Sequence, residues 1–229
     1  METEISSNSI LKGYNMLLYF AGTMLMYEPS EECFADFWAN DILKKLPVVS
    51  LNPNFIKAAG QLKDSCPDKT TCRKEMFEDY IRLFSSKQNP LAPAYESYYR
   101  SNSKIDSGYI PSAPGDFYTS YGWKSKFKVK VEDDHLSIEL LFLSRLIDKY
   151  MALEDIPCRS EMGKEIIRFI DNHILSWVPE WNKRIQLYSN TLSFKGIGTL
   201  ILACSEDIYT MFDRKPVDGI IKNIPKNLD

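Results

Sequence analysis

Residues 132–139, Glu-Asp-Asp-His-Leu-Ser-Ile-Glu, carry the densest polar chemistry in the sequence, with Glu132, Asp133, Asp134, His135 and Glu139 inside two helical turns. Glu132-x-x-His135 is half of the carboxylate–histidine motif by which helical bundles hold paired metal ions, and Glu139 lies one turn beyond His135. The other half is missing, because the second histidine, His173, has Ile170 three residues before it. A mononuclear His135/Glu139/His173 centre in a helical metal enzyme stays open as one reading. The competing reading makes both histidines structural, with His135 fixing a helix start. The acidic triplet matches the positive end of a helix dipole, where one carboxylate is expected to act as cap, and it also suits a cationic partner. Other catalytic patterns are absent. Gly196-Ile197-Gly198 is no phosphate loop, and neither a Gly-x-Ser-x-Gly elbow nor a Cys–His pairing can be read, so no enzyme activity and no cofactor are expected.

The element that positions these groups is the stretch 133–150. Leu136, Leu140, Leu143, Ile147 and Tyr150, widened by Phe142 and Leu146, recur at steps of three and four, the period of a helix buried over much of its circumference. Before it, Ser9 to Tyr27 shows a stripe of Ile10, Tyr14, Leu17, Leu18, Ala21 and Leu25. Ser30 can cap a helix burying Phe34, Phe37, Trp38 and Ile42. Asn52-Pro53 opens a third helix with Phe55, Ala58, Ala59 and Leu62 inside, and Thr70 or Thr71 a fourth with Phe77, Tyr80, Ile81 and Phe84. Ser85 to Ser103 lacks a sustained period and reads as an ordered loop or short helix rich in tyrosine. Pro111 to Tyr121 reads as a short helix stopped by Gly122. Trp123 to Val131 alternates like a strand but has no partner strand, so it reads as an extended connector. Ser160 begins a helix containing Ile166, Ile170, His173 and Trp177, and two helical stretches follow, Trp181 to Phe194 and Gly198 to Met211. The sum is an all-α, single-domain bundle of about nine helices over residues 1–213, with a loose tail at 214–229.

Composition narrows the function classes. The 229 residues are 44% hydrophobic, enough for a sizeable core. A net charge of −3 argues against general nucleic-acid binding. The apolar run Gly13 to Tyr27 follows Glu2 and Glu4 rather than a basic region and is too short to span a bilayer, so no stable membrane insertion and a cytoplasmic location are expected. Five scattered cysteines without a C-x-x-C pair fit reduced thiols, and Cys66 and Cys72 read as two independent ones.

Several short motifs occur in a fixed order: Tyr80-Ile81-Arg82-Leu83-Phe84, then Pro90-Leu91-Ala92-Pro93-Ala94-Tyr95-Glu96-Ser97-Tyr98-Tyr99, then Asp134-His135-Leu136 with Glu139-Leu140, and finally Phe169, His173 and Trp177-x-Pro179. Together these resemble the TorD/DmsD/NarJ family of redox-enzyme maturation chaperones over most of the chain. The resemblance implies an all-helical cytoplasmic chaperone of anaerobic respiration that binds the twin-arginine signal peptide, and sometimes the apo form, of a molybdopterin oxidoreductase, supporting cofactor insertion and delaying export. On this resemblance Tyr80, Phe84, Pro90, Pro93, Tyr95, Glu96, Ser97, Tyr99, Asp133, Asp134 and His135 are expected to form the peptide site, with Glu139, His173 and Trp177 as structural motif residues. Asp134, with Glu96 or Asp133, would pair with the arginines while the aromatic residues take the apolar segment. A homodimer is compatible with the family, as is a helical adaptor for an unrelated partner if the Asp-His pair is purely structural. The chain departs from the family at Asp133 and Ala94, where proline is frequent.

Overall fold

The computed structural model describes residues 2–30, 32, 37–38, 42–85, 89–100, 113–124 and 131–213. Most of the helix expected after Ser30, the greater part of the connector 123–131 and the tail 214–229 lie outside the described residues. Within them the chain forms nine α-helices and no strand: α1 (Glu2–Met26), α2 (Pro53–Lys63), α3 (Lys69–Tyr80), α4 (Glu96–Arg100), α5 (Pro114–Ser120), α6 (Leu136–Ala152), α7 (Ile156–Ile170), α8 (Val178–Tyr188) and α9 (Leu192–Asp213). Two π turns, Ile81–Ser85 and Asp171–Leu175, extend α3 and α7. The all-α expectation is met.

Two helices organise the core. α9 packs against α1, α2, α7 and α8, while α6 packs against α1 and α7. The approach of α9 to α2 depends on Gly196, where a Cβ would lie 2.7 Å from Leu62 Cγ. The stripe predicted for α6 is buried from Leu136 to Ile147. Gly122, at φ 60°, follows α5 in the left-handed conformation expected of a helix stop.

Several sequence expectations need correction, most by one position. The inward stripe of α1 runs through Leu11, Tyr14, Leu18, Ala21 and Leu25, so Ile10, about 100° away, is exposed. Phe77 is exposed for the same reason, because Cys72, Met76 and Tyr80 form the buried edge of α3. Ile42 faces out from a short 3-10 turn whose Leu43 faces in. The caps shift as well. Asp68 caps α3 by accepting from Thr70 N, and Asp155 caps α7, which therefore starts at Ile156 rather than Ser160. Cys66 and Cys72 are joined by a disulfide, their Cα atoms 5.1 Å apart, instead of standing as independent thiols.

The boundary between α8 and α9 falls at residues 189–191, because a distant carboxylate claims the backbone there. Buried Asp79, at the end of α3, accepts from Asn190 N and Thr191 N at 3.0 Å each, from Ser189 Oγ at 2.7 Å and from Thr191 Oγ1 at 2.9 Å. Donors that open a helix are thereby satisfied by a residue more than a hundred positions away.

Candidate functional site

Two stretches that the motifs single out meet at the start of α6. Tyr95 and His135 form an isolated antiparallel bridge. Leu136 N donates to Ala94 O at 2.8 Å, and Glu96 N donates to Asp134 O at 3.0 Å. The loop before α4 is thus seated by main-chain hydrogen bonds, and the Tyr95 and His135 rings meet edge to face with their centres 4.9 Å apart.

The cap of α6 is His135, in place of the acidic residue expected. Its Nδ1 accepts from Ser137 N at 3.2 Å, which requires that nitrogen to be unprotonated. Burial lowers the His135 pKa to about 4, against the opposing pull of Asp134, so the neutral form is the one in place. The acidic triplet does other work. Asp134 Oδ2 accepts from Ser97 N at 3.0 Å, and the Asp133 carbonyl accepts from Tyr118 Oη at 3.0 Å.

Behind this junction lies a buried polar cluster. Glu96, 2% exposed, places Oε2 3.1 Å from His173 Nδ1 and Oε1 2.8 Å from Arg100 Nη1. The His173 ring is packed edge-on against Phe117 and tilted against Phe169, and its backbone carbonyl accepts from Trp177 Nε1 at 2.7 Å. Glu139 is fully buried. Burial, then the Glu96 charge, push its pKa well above the usual carboxyl range, which favours the protonated form, and neither carboxyl oxygen has a hydrogen-bond partner among the described residues. Tyr99 stacks on Trp177 with ring centres 5.3 Å apart, and burial raises its pKa too.

In front of the cluster opens a cavity of ≈ 370 Å³ between α4 and α5, lined by Glu96, Ser97, Arg100, Glu132, Asp133 and Asp134 together with Ala113, Pro114 and Gly115. Four carboxylates face one guanidinium there, so the charge of the lining is predominantly negative.

The remaining sequence-predicted residues are placed elsewhere. Tyr80 is buried, donates to Leu25 O at 3.2 Å and forms an aromatic cluster with Phe84 and Phe194. Pro93 is buried and Pro90 half-buried in the loop before α4. Tyr95 is half-buried and close enough to Asp134 and Glu132 for their charge to raise its pKa, although burial contributes more. The structure therefore brings Glu96, Ser97, Asp133 and Asp134 to one cavity, with Tyr95, His135 and Tyr99 behind or beside it. His135, Glu139 and His173 do not form a metal centre: among the described residues no three His, Cys, Asp or Glu side chains are grouped closely enough to hold an ion.

Sequence reasoning missed Arg100, Tyr118 and the α5 wall. The Glu96–Arg100 spacing of four on a helix was legible, but α4 is too short to show a period. No helix among the described residues is long and apolar enough to cross a membrane.

A family model described as the nitrate reductase delta subunit matches residues 50–183, a span that includes both stretches of the junction and ends within α8. Three curated relatives carry the name chaperone protein TorD. That of Vibrio parahaemolyticus is 22% identical over 194 residues, covering 82% of this chain and 88% of the relative. That of Aliivibrio salmonicida is 21% identical over 170 residues, 73% of this chain and 79% of the relative. That of a Psychrobacter strain is 27% identical over 112 residues, 49% of this chain and 50% of the relative.

Proposed function

The chain belongs to the nitrate reductase delta subunit family, as a redox-enzyme maturation chaperone of the TorD/NarJ type and not an enzyme, and from that premise we propose that it binds the twin-arginine signal peptide of a molybdopterin oxidoreductase precursor in the cytoplasm. Holding the apo-enzyme in this way would support cofactor insertion and delay export. The observation that carries the reading is the acidic cavity between α4 and α5. A twin-arginine motif presents two planar cations, and carboxylates at the cavity mouth can accept them in bidentate fashion.

The apolar part of the peptide needs a separate surface, because neither Tyr80 nor Pro93 lines the acidic cavity. An open groove of ≈ 690 Å³ between α1 and α6, where Met16, Tyr19, Phe20, Leu141 and Met151 stand beside Lys12, Arg145 and Asp148, supports this reading. Flexible methionines suit apolar segments of varied shape.

The test is a pull-down from anaerobically grown cells with tagged protein as bait, comparing wild type with Asp133→Asn and Asp134→Asn. A molybdopterin oxidoreductase precursor with its signal intact, held by wild type and lost with Asp134→Asn, is the expected result. Exposed Asp133 is a rim charge and its loss is expected to change retention little, whereas losing a shielded partner of an arginine costs roughly 2–5 kcal/mol. Retention of mature enzyme alone would shift the contact to the enzyme body, and retention of no redox enzyme would remove the reading.

A further inference from the structure

Arg100 stands where an incoming arginine would have to go. Its Nη1 is 2.8 Å from Glu96 Oε1, its Nη2 donates to Asn172 O at 2.7 Å, and its side chain forms part of the wall of the acidic cavity. The acceptors are prepared for a planar cation. Asn172 O belongs to the π turn Asp171–Leu175 and also accepts from Ser176 Oγ at 2.7 Å, while Glu96 is held from behind by His173. Arg100 itself fits imperfectly: its approach to Glu96 is an ion pair without hydrogen-bond geometry, so Oε1 has no hydrogen bond among the described residues. At 24% exposure the Arg100 side chain is open to solvent, whereas Glu96, at 3%, lies almost covered at the back of the cavity.

We propose that Glu96 Oε1 and the Asn172 carbonyl form a guanidinium subsite that Arg100 fills in the free protein, and that one arginine of the client enters by exchanging with Arg100. The identity of the client arginine rests on the function proposed above; the subsite does not. Exchange of one guanidinium for another leaves the charge of the buried cluster unchanged at its start and end, so Glu96 is never stranded without a counter-ion in either stable state. The fork of contacts also selects arginine over lysine, whose ammonium cannot reach carboxylate and carbonyl with the same planar geometry.

The experiment has two parts. Arg100→Ala and the double variant Arg100→Ala/Glu96→Gln are melted in millimolar guanidinium chloride and in sodium chloride of equal ionic strength. Guanidinium is expected to raise the melting temperature of Arg100→Ala above its sodium control and to leave the double variant and wild type unmoved. Equal shifts in both variants, or none, overturn the subsite. In the second part, which does not depend on the variant folding, acetyl-Arg-Arg-amide is titrated into wild type while the Nε–H resonance of Arg100 is followed by NMR. Displacement of that resonance at saturation, absent with acetyl-Lys-Lys-amide, is expected. Saturation by the arginine peptide without displacement overturns the exchange and leaves the proposed function intact. Guanidinium rescue without any peptide binding leaves the subsite and removes the client arginine.

Discussion

Glu96 and His173 meet at 3.1 Å in the interior, joining the helix that borders the acidic cavity to the π turn at the end of α7. Both side chains are almost wholly shielded from solvent, and Glu96, which also faces Arg100, supplies the polar partner of His173 Nδ1. Glu96→Gln keeps the volume but removes the charge facing Arg100 and His173, and a loss of about 1–3 kcal/mol in unfolding free energy is expected. Urea denaturation of Glu96→Gln, His173→Gln and the double variant measures the coupling. The double variant should cost less than the sum of the singles, by roughly 0.5–3 kcal/mol, and strict additivity would mean that the contact contributes nothing.

Glu139 is an acid whose pKa folding raises, so the folded protein retains a proton that the unfolded chain releases. Its contribution to stability is therefore complete below the ordinary carboxyl pKa and declines as pH rises from there toward the raised value. Glu139→Gln mimics the neutral acid at every pH. Its melting temperature should exceed that of wild type at about pH 8, and the difference should shrink toward about pH 4.

His135 behaves in the opposite sense. Folding lowers its pKa from 6.5 to about 4, so the stability tied to the neutral ring is complete above 6.5 and is lost as pH falls toward 4. The full effect is roughly 3 kcal/mol. Asn is a good cap that does not titrate, so His135→Asn should hold α6 while flattening the acid side of the stability profile. A profile parallel to wild type between those limits would show that another group is responsible.

Asp79 gathers four donors from residues 189–191 and an ion pair from Arg82 at 3.1 Å. Asp79→Ala leaves the Thr191 and Asn190 N–H groups without that partner and should cost roughly 3 kcal/mol or more. Hydrogen exchange locates the damage. Amides at the start of α9 are expected to lose protection before those of α6.

Much of the fold was legible in the sequence because the long helices carry their own period. α6 and α2 have apolar residues at steps of three and four, and Asn52-Pro53 announces the start of α2 with Asn52 accepting from Asn54 N. The illegible parts are those in which a partner is distant in sequence. Nothing near residues 189–191 reveals that Asp79 ends one helix and begins another, so the sequence placed the break after Phe194 instead of at 189–191. At the start of α6 the sequence let His135 fix the helix but assigned the cap to one of the three carboxylates before it, because the acceptor role of Nδ1 depends on a neutral ring, which burial favours. The motifs named Glu96, Ser97 and Asp134, which the structure brings to one cavity with Asp133, whereas Tyr80 and Phe84 lie apart from it against Phe194, since an aromatic in a motif looks the same whichever surface it faces.

The loop carrying Tyr95, Glu96 and Ser97 is seated on α6 by peptide groups, through Leu136 N to Ala94 O and Glu96 N to Asp134 O. Peptide groups are common to almost every amino acid, so this anchorage makes few demands on which residues occupy the loop. Side chains at exposed positions such as Ser97 can be exchanged over evolutionary time without unmooring the backbone that presents them. The groups lining the cavity are thereby uncoupled from its mounting: most can change while the backbone that presents them stays where it is.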